Sequence, residues 1–176
     1  FGPGVPVTRV QFAKMAGDGF ALQPLFPDEP TFSDVTPEHV AFGWVEASAA
    51  RGLLRGYVDG MYRPGENISR QQAASILGRY LAASELQMRG GIQGGAATYD
   101  DLAAWFVAEG AKILAPFTDA ADLAAVHAPF AAYLVHRGVV YGSGTLLNPL
   151  AGLTRAQAAA MVYRAGSTVL GVQSET

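Results

Sequence analysis

The chain predicts a mainly α fold built from tandem repeats, with short loops or strands between helix pairs, and three observations predict it. The stretch Arg51 to Leu77 (RGLLRGYVDGMYRPGENISRQQAASIL) returns from His136 as HRGVVYGSGTLLNPLAGLTRAQAAAM, with paired glycines four apart, Gly52 and Gly56, then Gly138 and Gly142. A partial copy, FGPGVPVTRVQFAKM, stands at the start. Pro3 to Arg9, Pro64 to Arg70 and Pro149 to Arg155 are each six residues apart, with an apolar residue (Phe1, Tyr62, Leu147) two before each proline. Three stretches in one register mark a repeated structural unit.

Thr8 is a suitable N-cap for a first helix to about Gly17, with Val10, Ala13 and Met15 on its apolar face and Gly17-Asp18-Gly19 ending it. The proline-rich run Gln23 to Pro30 reads as a surface loop. Thr36 and Pro37 then read as N-cap and first helical position of a helix whose apolar positions are Val40, Trp44, Val45 and Ala49, stopped by Gly52. Asp59-Gly60 and Pro64-Gly65 are turns, and the apolar pieces between them are candidates for brief strand pairing. Ser69 caps a helix through Gln72, Ile76 and Tyr80 to about Ala83.

Arg89 to Ala97, with four glycines, reads as a flexible linker. Tyr99 to Leu114 comes next as a helix with Leu102, Trp105, Phe106, Val107 and Ile113 on one face and Asp100 and Asp101 in its first turn. The repeat arginines are 61 and then 85 residues apart, so the second interval carries an insertion of 24 residues. Phe117-Thr118-Asp119 restarts the pattern of Phe32-Ser33-Asp34; one helix holds Phe130, Tyr133, Leu134 and Val135, another runs from Thr154 to about Ala165, and the tail is loose at its end.

Composition bounds the function. With 176 residues, half of them hydrophobic, the chain can bury one good core. Charged residues are 15% and the net charge is −3, which argues against a nucleic-acid partner. The absence of cysteine removes disulfides, thiolate metal sites and a cysteine nucleophile. No apolar run is long enough for a membrane span. Because the chain begins at Phe1, inside a repeat, it reads as a fragment or processed form.

These motifs resemble the S-layer homology (SLH) modules of bacterial cell-surface proteins, whose pattern is similar to F-x-D-V, a helix ending in G-x-x-x-G, a D-G-x-F-x-P turn, and a Thr/Ser-Arg helix start. Phe32-Ser33-Asp34-Val35, Gly52 and Gly56, Asp59 to Pro64 and Ile68 to Gln72 carry it once. Phe117-Thr118-Asp119, Gly138 and Gly142 and Leu153 to Gln157 carry it again, and Val7 to Gln11 supply the second half of a first module. The resemblance divides the chain into 1–30 (end of module one and connection), 31–88 (module two), 89–115 (linker and inserted helix) and 116–176 (module three and tail). It implies a three-pronged pseudo-trimer with cell-wall glycans, often pyruvylated, in the grooves between prongs, and anchoring of an exported protein at the extracellular face of the envelope. The family usually has Trp near the start of its first helix, where this chain has Val40 and Val126, and the motif's acidic end is here Gln11, Gln72 and Gln157.

Arg9, Arg70 and Arg155 stand one residue inside helix N-termini, where free N–H groups favour an anion and a guanidinium can fork to a carboxylate or phosphate. Structurally, each could instead pair with Asp34, Asp119 or a loop carbonyl and join two repeats. Gly52 and Gly138, with Asp34 and Asp119, read as parts of the repeat scaffold, while Gly56 and Gly142 could also admit a sugar close to the backbone. Tyr57 and Tyr141, beside the second glycines, are the candidates for stacking on a sugar, with Gln11, Gln72 and Gln157 completing the candidate glycan-binding set. His39, His127 and His136 lack metal-ligand spacing and read as solvated or core histidines. No catalytic motif, metal site or cofactor is expected. The expected partner is a cell-wall polysaccharide; the rival reading is a structural assembly module using residues 99–114 as a protein-binding face.

Overall fold

The computed structural model describes residues 2–88 and 97–169. Among the described residues seven α-helices carry the fold: α1 (Arg9–Gly19), α2 (Phe42–Ala50), α3 (Arg70–Met88), α4 (Tyr99–Trp105), α5 (Ala111–Leu114), α6 (Ala128–His136) and α7 (Arg155–Val169). The chain is thus mainly helical, and between the helices only isolated β-bridges pair the backbone of the described residues.

The three segments leading into α1, α3 and α7 meet at the centre and bond to one another in a closed ring. Val7 N–H donates to Leu153 C=O, Leu153 N–H to Ile68 C=O and Ile68 N–H to Val7 C=O, at 2.8, 3.1 and 3.0 Å. A second turn of the ring joins Arg9 N–H to Glu66 C=O, Arg70 N–H to Ala151 C=O and Arg155 N–H to Val5 C=O. Equivalent residues exchange equivalent bonds, so the pattern permutes cyclically among the three repeats. Val7, Ile68 and Leu153 are fully buried. Three short segments without neighbouring strands would leave buried backbone groups unpaired, and the ring satisfies them.

Each ring segment passes into its helix through the same cap. Thr8, Ser69 and Thr154 accept from the N–H groups of Gln11, Gln72 and Gln157, whose Oε1 atoms accept in return from the three cap N–H groups. These reciprocal pairs are capping boxes, with glutamine in the place often held by glutamate.

The helices pair across the sequence repeats. α2 packs on α1 and α6 on α3, so each first helix of a module rests on the second helix of the module before it; α7 packs between α1 and α3. Close approach depends on glycine: a Cβ on Gly17 would meet Trp44 Cδ1 at 2.5 Å, and one on Gly78 would meet Phe130 Cβ at 2.8 Å.

Several element boundaries depart from expectation. α2 begins at Phe42, capped by Ala41, and Thr36 is not its N-cap. Residues 36–42 form successive turns, with His39 N–H on Thr36 C=O and Phe42 N–H on His39 C=O, while His39 Nδ1 accepts from Ala41 N–H. Val40 lies outside the helix and is exposed. α1 continues through Gly17 to Gly19, α3 runs to Met88, and α7 runs beyond about Ala165 to Val169. The linker expected at 89–97 lies, except for buried Ala97, outside the described residues, as does the end of the tail.

The inserted segment is a helical run with a π-turn, Phe106–Gly110, between α4 and α5. Thr98 and Asp101 form a capping box at its start. The wider π-turn rotates the facing of its own residues and of α5 relative to α4, which leaves Val107 79% exposed although helical spacing puts it on the apolar face. Leu102 and Leu114 are buried, and Trp105 meets Tyr133 edge-on, with ring centroids 5.3 Å apart. The segment therefore covers the chain's own core beside α3 and α6, which weakens the reading of its apolar face as a protein-binding surface.

Candidate functional site

The loop after each first helix is shaped by one aspartate. Asp34 accepts from the N–H groups of Tyr62 and Arg63, both at 2.7 Å, and Asp119 accepts from Leu147 and Asn148 at 2.8 and 2.7 Å. Arg63 and Asn148 have positive φ, 59° and 53°, a conformation that is unfavourable for a side-chain-bearing residue and is held here by a charge-assisted bond. Burial opposes ionisation of Asp119, but the two backbone N–H groups and the charge of Arg70 outweigh it and keep its carboxyl below the usual range. Gly52 and Gly138 take φ of 69° and 67°, which accounts for glycine at those turns.

Gly56 and Gly142 have a different reason. A Cβ on Gly56 would lie 2.5 Å from Phe32 Cε1 and 2.7 Å from Met61 O, and one on Gly142 would meet Phe117 and lie 2.8 Å from Leu146 O. Internal packing of the F-x-D phenylalanine against the loop therefore requires glycine here.

The repeat arginines join one repeat to the next. Arg9 Nε donates to Tyr62 C=O at 2.8 Å and Nη2 to Arg55 C=O at 3.2 Å; Arg70 Nε donates to Leu147 C=O at 2.8 Å and Nη2 to Tyr141 C=O at 3.2 Å. The four acceptors are equivalent positions in the two loops. Neither arginine forms an ion pair with Asp34 or Asp119, whose oxygens are engaged by the turn. Arg9 is buried, and Tyr62, fully buried beneath it, donates its hydroxyl to Arg9 C=O.

Two equivalent clefts open beside these contacts. The first, about 250 Å³, lies between Arg9, the loop Arg55-Gly56-Tyr57 and the α3 face of Gln72 and Arg79, with Val126 and His127 also lining it. The second, about 480 Å³, lies between Arg70, the loop Tyr141-Gly142-Ser143 and the α7 face of Gln157 and Arg164. By repeat position Arg9 answers to Arg70, Arg55 to Tyr141, Gln72 to Gln157 and Arg79 to Arg164. Arg155 and Gln11 line neither cleft. Among the described residues no carboxylate lines either one, so an acidic chain presents two basic concavities.

Arg79 and Arg164 are not among the sequence candidates. They donate from Nη1 to Leu53 C=O and Val139 C=O, again equivalent positions, each at 3.2 Å. The sequence does hold a signal for them, since both stand nine residues after a repeat arginine on the same helix. Burial first, and the charge of Arg55 second, pull Arg79 down to about 10. His127, a solvated or core histidine by sequence, lies in the first cleft with Nδ1 2.6 Å from Ser75 Oγ.

The tyrosines differ. The guanidinium groups of Arg9 and Arg63 lie over the Tyr57 ring at 5.0 and 4.0 Å, and its hydroxyl is bonded to Glu66 and Gln72. Tyr141 is 61% exposed, with Arg164 over its ring at 4.7 Å, so it offers the more open aromatic surface. Among the described residues no group of three or more His, Cys, Asp or Glu side chains could hold a metal ion, and no helix is long and apolar enough to cross a membrane.

Comparison with known proteins adds an independent line. The S-layer homology domain model matches residues 31–74 and 116–159. The chain is similar to the outer membrane protein SlpA of Thermus thermophilus, 42% identical over 72 residues, covering 41% of the chain and 8% of that protein. SlpA of Deinococcus radiodurans is 35% identical over 78 residues, 44% of the chain and 6% of that protein. Cell surface glycoprotein 1 of Acetivibrio thermocellus is 30% identical over 87 residues, 46% of the chain and 4% of that protein. The chain thus spans a small part of the length of these relatives.

Proposed function

The chain belongs to the S-layer homology family, a premise that places it at the cell surface, and from it we propose that the chain anchors a larger exported protein by binding an anionic cell-wall polysaccharide in its two clefts. The observation that carries this reading is the pair of equivalent concavities, the first lined by Arg9, Arg55 and Arg79 and the second by Arg70 and Arg164, with no carboxylate among the described lining residues. A polymer of repeating acidic sugars presents the same charged unit many times, and two weak sites on one rigid body bind such a polymer more tightly than either does alone.

In this reading Arg9 and Arg70 form the cleft floors and use part of their donor capacity on the loops, while Arg79 and Arg164 add the second charge of each cleft. Gln72 and Gln157 use Oε1 in the cap, which leaves their amide nitrogens as donors, Gln72 Nε2 to the Tyr57 hydroxyl, and Tyr141 offers a ring face to the apolar side of a sugar. Arg155 belongs to the remaining inter-repeat position. The three units, related by the cyclic exchange of backbone bonds, are proposed to stand about a pseudo-threefold axis with the clefts between them.

Co-sedimentation with purified wall sacculi tests the function. Pelleting with intact sacculi, weakened by salt and lost with sacculi stripped of their secondary polysaccharide, is the expected result. Equal pelleting with stripped sacculi would remove the polysaccharide from the account.

A further inference from the structure

We propose that the open face of α7 receives the first half of a repeat, a short helix followed by a glycine loop whose end runs into Pro3. Tyr163 keys this face to a helix that carries a small residue where α2 has Trp44 and α6 has Phe130.

Three equivalent helix faces differ in what covers them. By repeat position Val10, Ala13 and Gly17 of α1 answer to Gln71, Ala74 and Gly78 of α3 and to Ala156, Ala159 and Tyr163 of α7. The α1 face lies under α2 and the α3 face under α6, and Ala13, Gly17, Ala74 and Gly78 are all buried. α7 buries Ala158, Met161, Val162 and Ala165 instead. Its Ala156 and Ala159 are exposed, and Tyr163 is 69% exposed.

The rest of this third groove is already in place. The carbonyls of Pro3 and Val5 accept from the N–H groups of Ala156 and Arg155 at 3.1 and 3.0 Å. Pro64 and Glu66 do the same for Val10 and Arg9, and Pro149 and Ala151 for Gln71 and Arg70. In those two cases the accepting segment ends the loop that follows α2 or α6, so the segment at Pro3 marks where a third helix and loop join. The clefts carry a second sign. In the first, Val126 and His127 at the entry to α6 lie against α3, with His127 on Ser75. In the second, α7 itself faces the cleft with Ala156 and Ala160, at the places of Gln71 and Ser75, and the space widens from about 250 to about 480 Å³. The wall that α6 gives the first cleft has no counterpart among the described residues lining the second.

Tyr163 decides which helix fits. Even a Cβ on Gly17 or Gly78 would lie 2.5 Å from Trp44 or 2.8 Å from Phe130, so α2 and α6 seat their aromatic rings on bare backbone. A tyrosine at the same place leaves no room for a second ring, and close packing calls for alanine or glycine opposite it. Helices like α2 and α6, which suit the other two faces, are thereby shut out of the third by steric exclusion.

A synthetic peptide of residues 31–61, α2 with its loop up to the position before the one Phe1 holds in its own repeat, tests the assignment. It is titrated into the full chain in two forms, with Trp44 and with Trp44→Ala. The Trp44→Ala form is expected to bind at least about tenfold more tightly than the Trp44 form, and Tyr163→Gly in the chain is expected to reverse that order. Tyr163→Ala, which suits a helix better than glycine, is the second variant and should narrow the preference to about threefold or less. Backbone amide shifts on binding should gather at Ala156, Ala159 and residue 163. No saturable binding of either peptide to any of the three chains would overturn the docking face. Equal binding of both forms to the parent chain, or a preference that neither variant changes, would overturn the keying by Tyr163.

Discussion

Replacing Arg70 with alanine is expected to destabilise the chain by ~2–3 kcal/mol, because the side chain is a bridge between repeats before it is a ligand contact. Its Nε bond to Leu147 C=O is 2.8 Å and its Nη2 bond to Tyr141 C=O is 3.2 Å. A hydrogen bond from a charged donor contributes ~1.5–3 kcal/mol; partial exposure puts the shorter bond at the low end, and the longer one adds about 1 kcal/mol or less. Truncation also strands the carbonyl of Leu147, a buried residue. With a urea m-value of about 2 kcal/mol/M, the unfolding midpoint should fall by roughly 1–1.5 M with m unchanged. Arg70→Lys should recover half of the loss or less, since an ammonium cannot reproduce the planar fork that reaches both carbonyls. Arg9→Ala, with the same pair of bonds in a more buried setting, should cost more than Arg70→Ala. A loss below about 0.5 kcal/mol for Arg70→Ala would refute the bridging role.

Other contacts give three further expected outcomes. Gly142→Ala should cost ~1–3 kcal/mol in urea unfolding, because its Cβ would press on Phe117 and on Leu146 C=O, whereas Gly65→Ala, with open space around it, should cost less. Asp119 is held below its unfolded value, so its contribution is present above that value and is lost as pH falls through the lower folded value; Asp119→Asn should flatten the acid limb of a stability-versus-pH curve. Trp105→Ala should destabilise the fold by ~2–3 kcal/mol if the insertion covers the chain's own core, and an unchanged melting curve would restore the case for a partner on that face.

The sequence carries the local chemistry well where it repeats. The Thr/Ser-Arg-x-Gln starts appear as three capping boxes, and the paired glycines fall at a positive-φ turn and at a phenylalanine contact. Whether Arg9 and Arg70 bind outward or inward is left open by the sequence, because a guanidinium at a helix start suits an anion and a carbonyl pair equally. Only the placement of the next repeat's loop decides that. The exchange of helices between modules is also hidden, since it depends on contacts between residues far apart in the chain, such as Gly78 with Phe130. Thr36-Pro37 looks like a helix start on local chemistry alone, but successive turns and the His39 ring prepare the chain for α2 at Phe42 instead. Arg79 and Arg164 are legible in retrospect from their common offset; His127 is not, because its partner Ser75 lies 52 residues away.

The most direct test of the account is to map where purified wall polysaccharide touches the chain, by titrating it into isotope-labelled protein and following backbone amide shifts. The account predicts that the shifts gather on Gly56, Tyr57, Gln72 and Arg79 and on the equivalent Gly142, Ser143, Gln157 and Arg164. Shifts confined to residues 99–114, or saturable binding that leaves both loops unmoved, would contradict it.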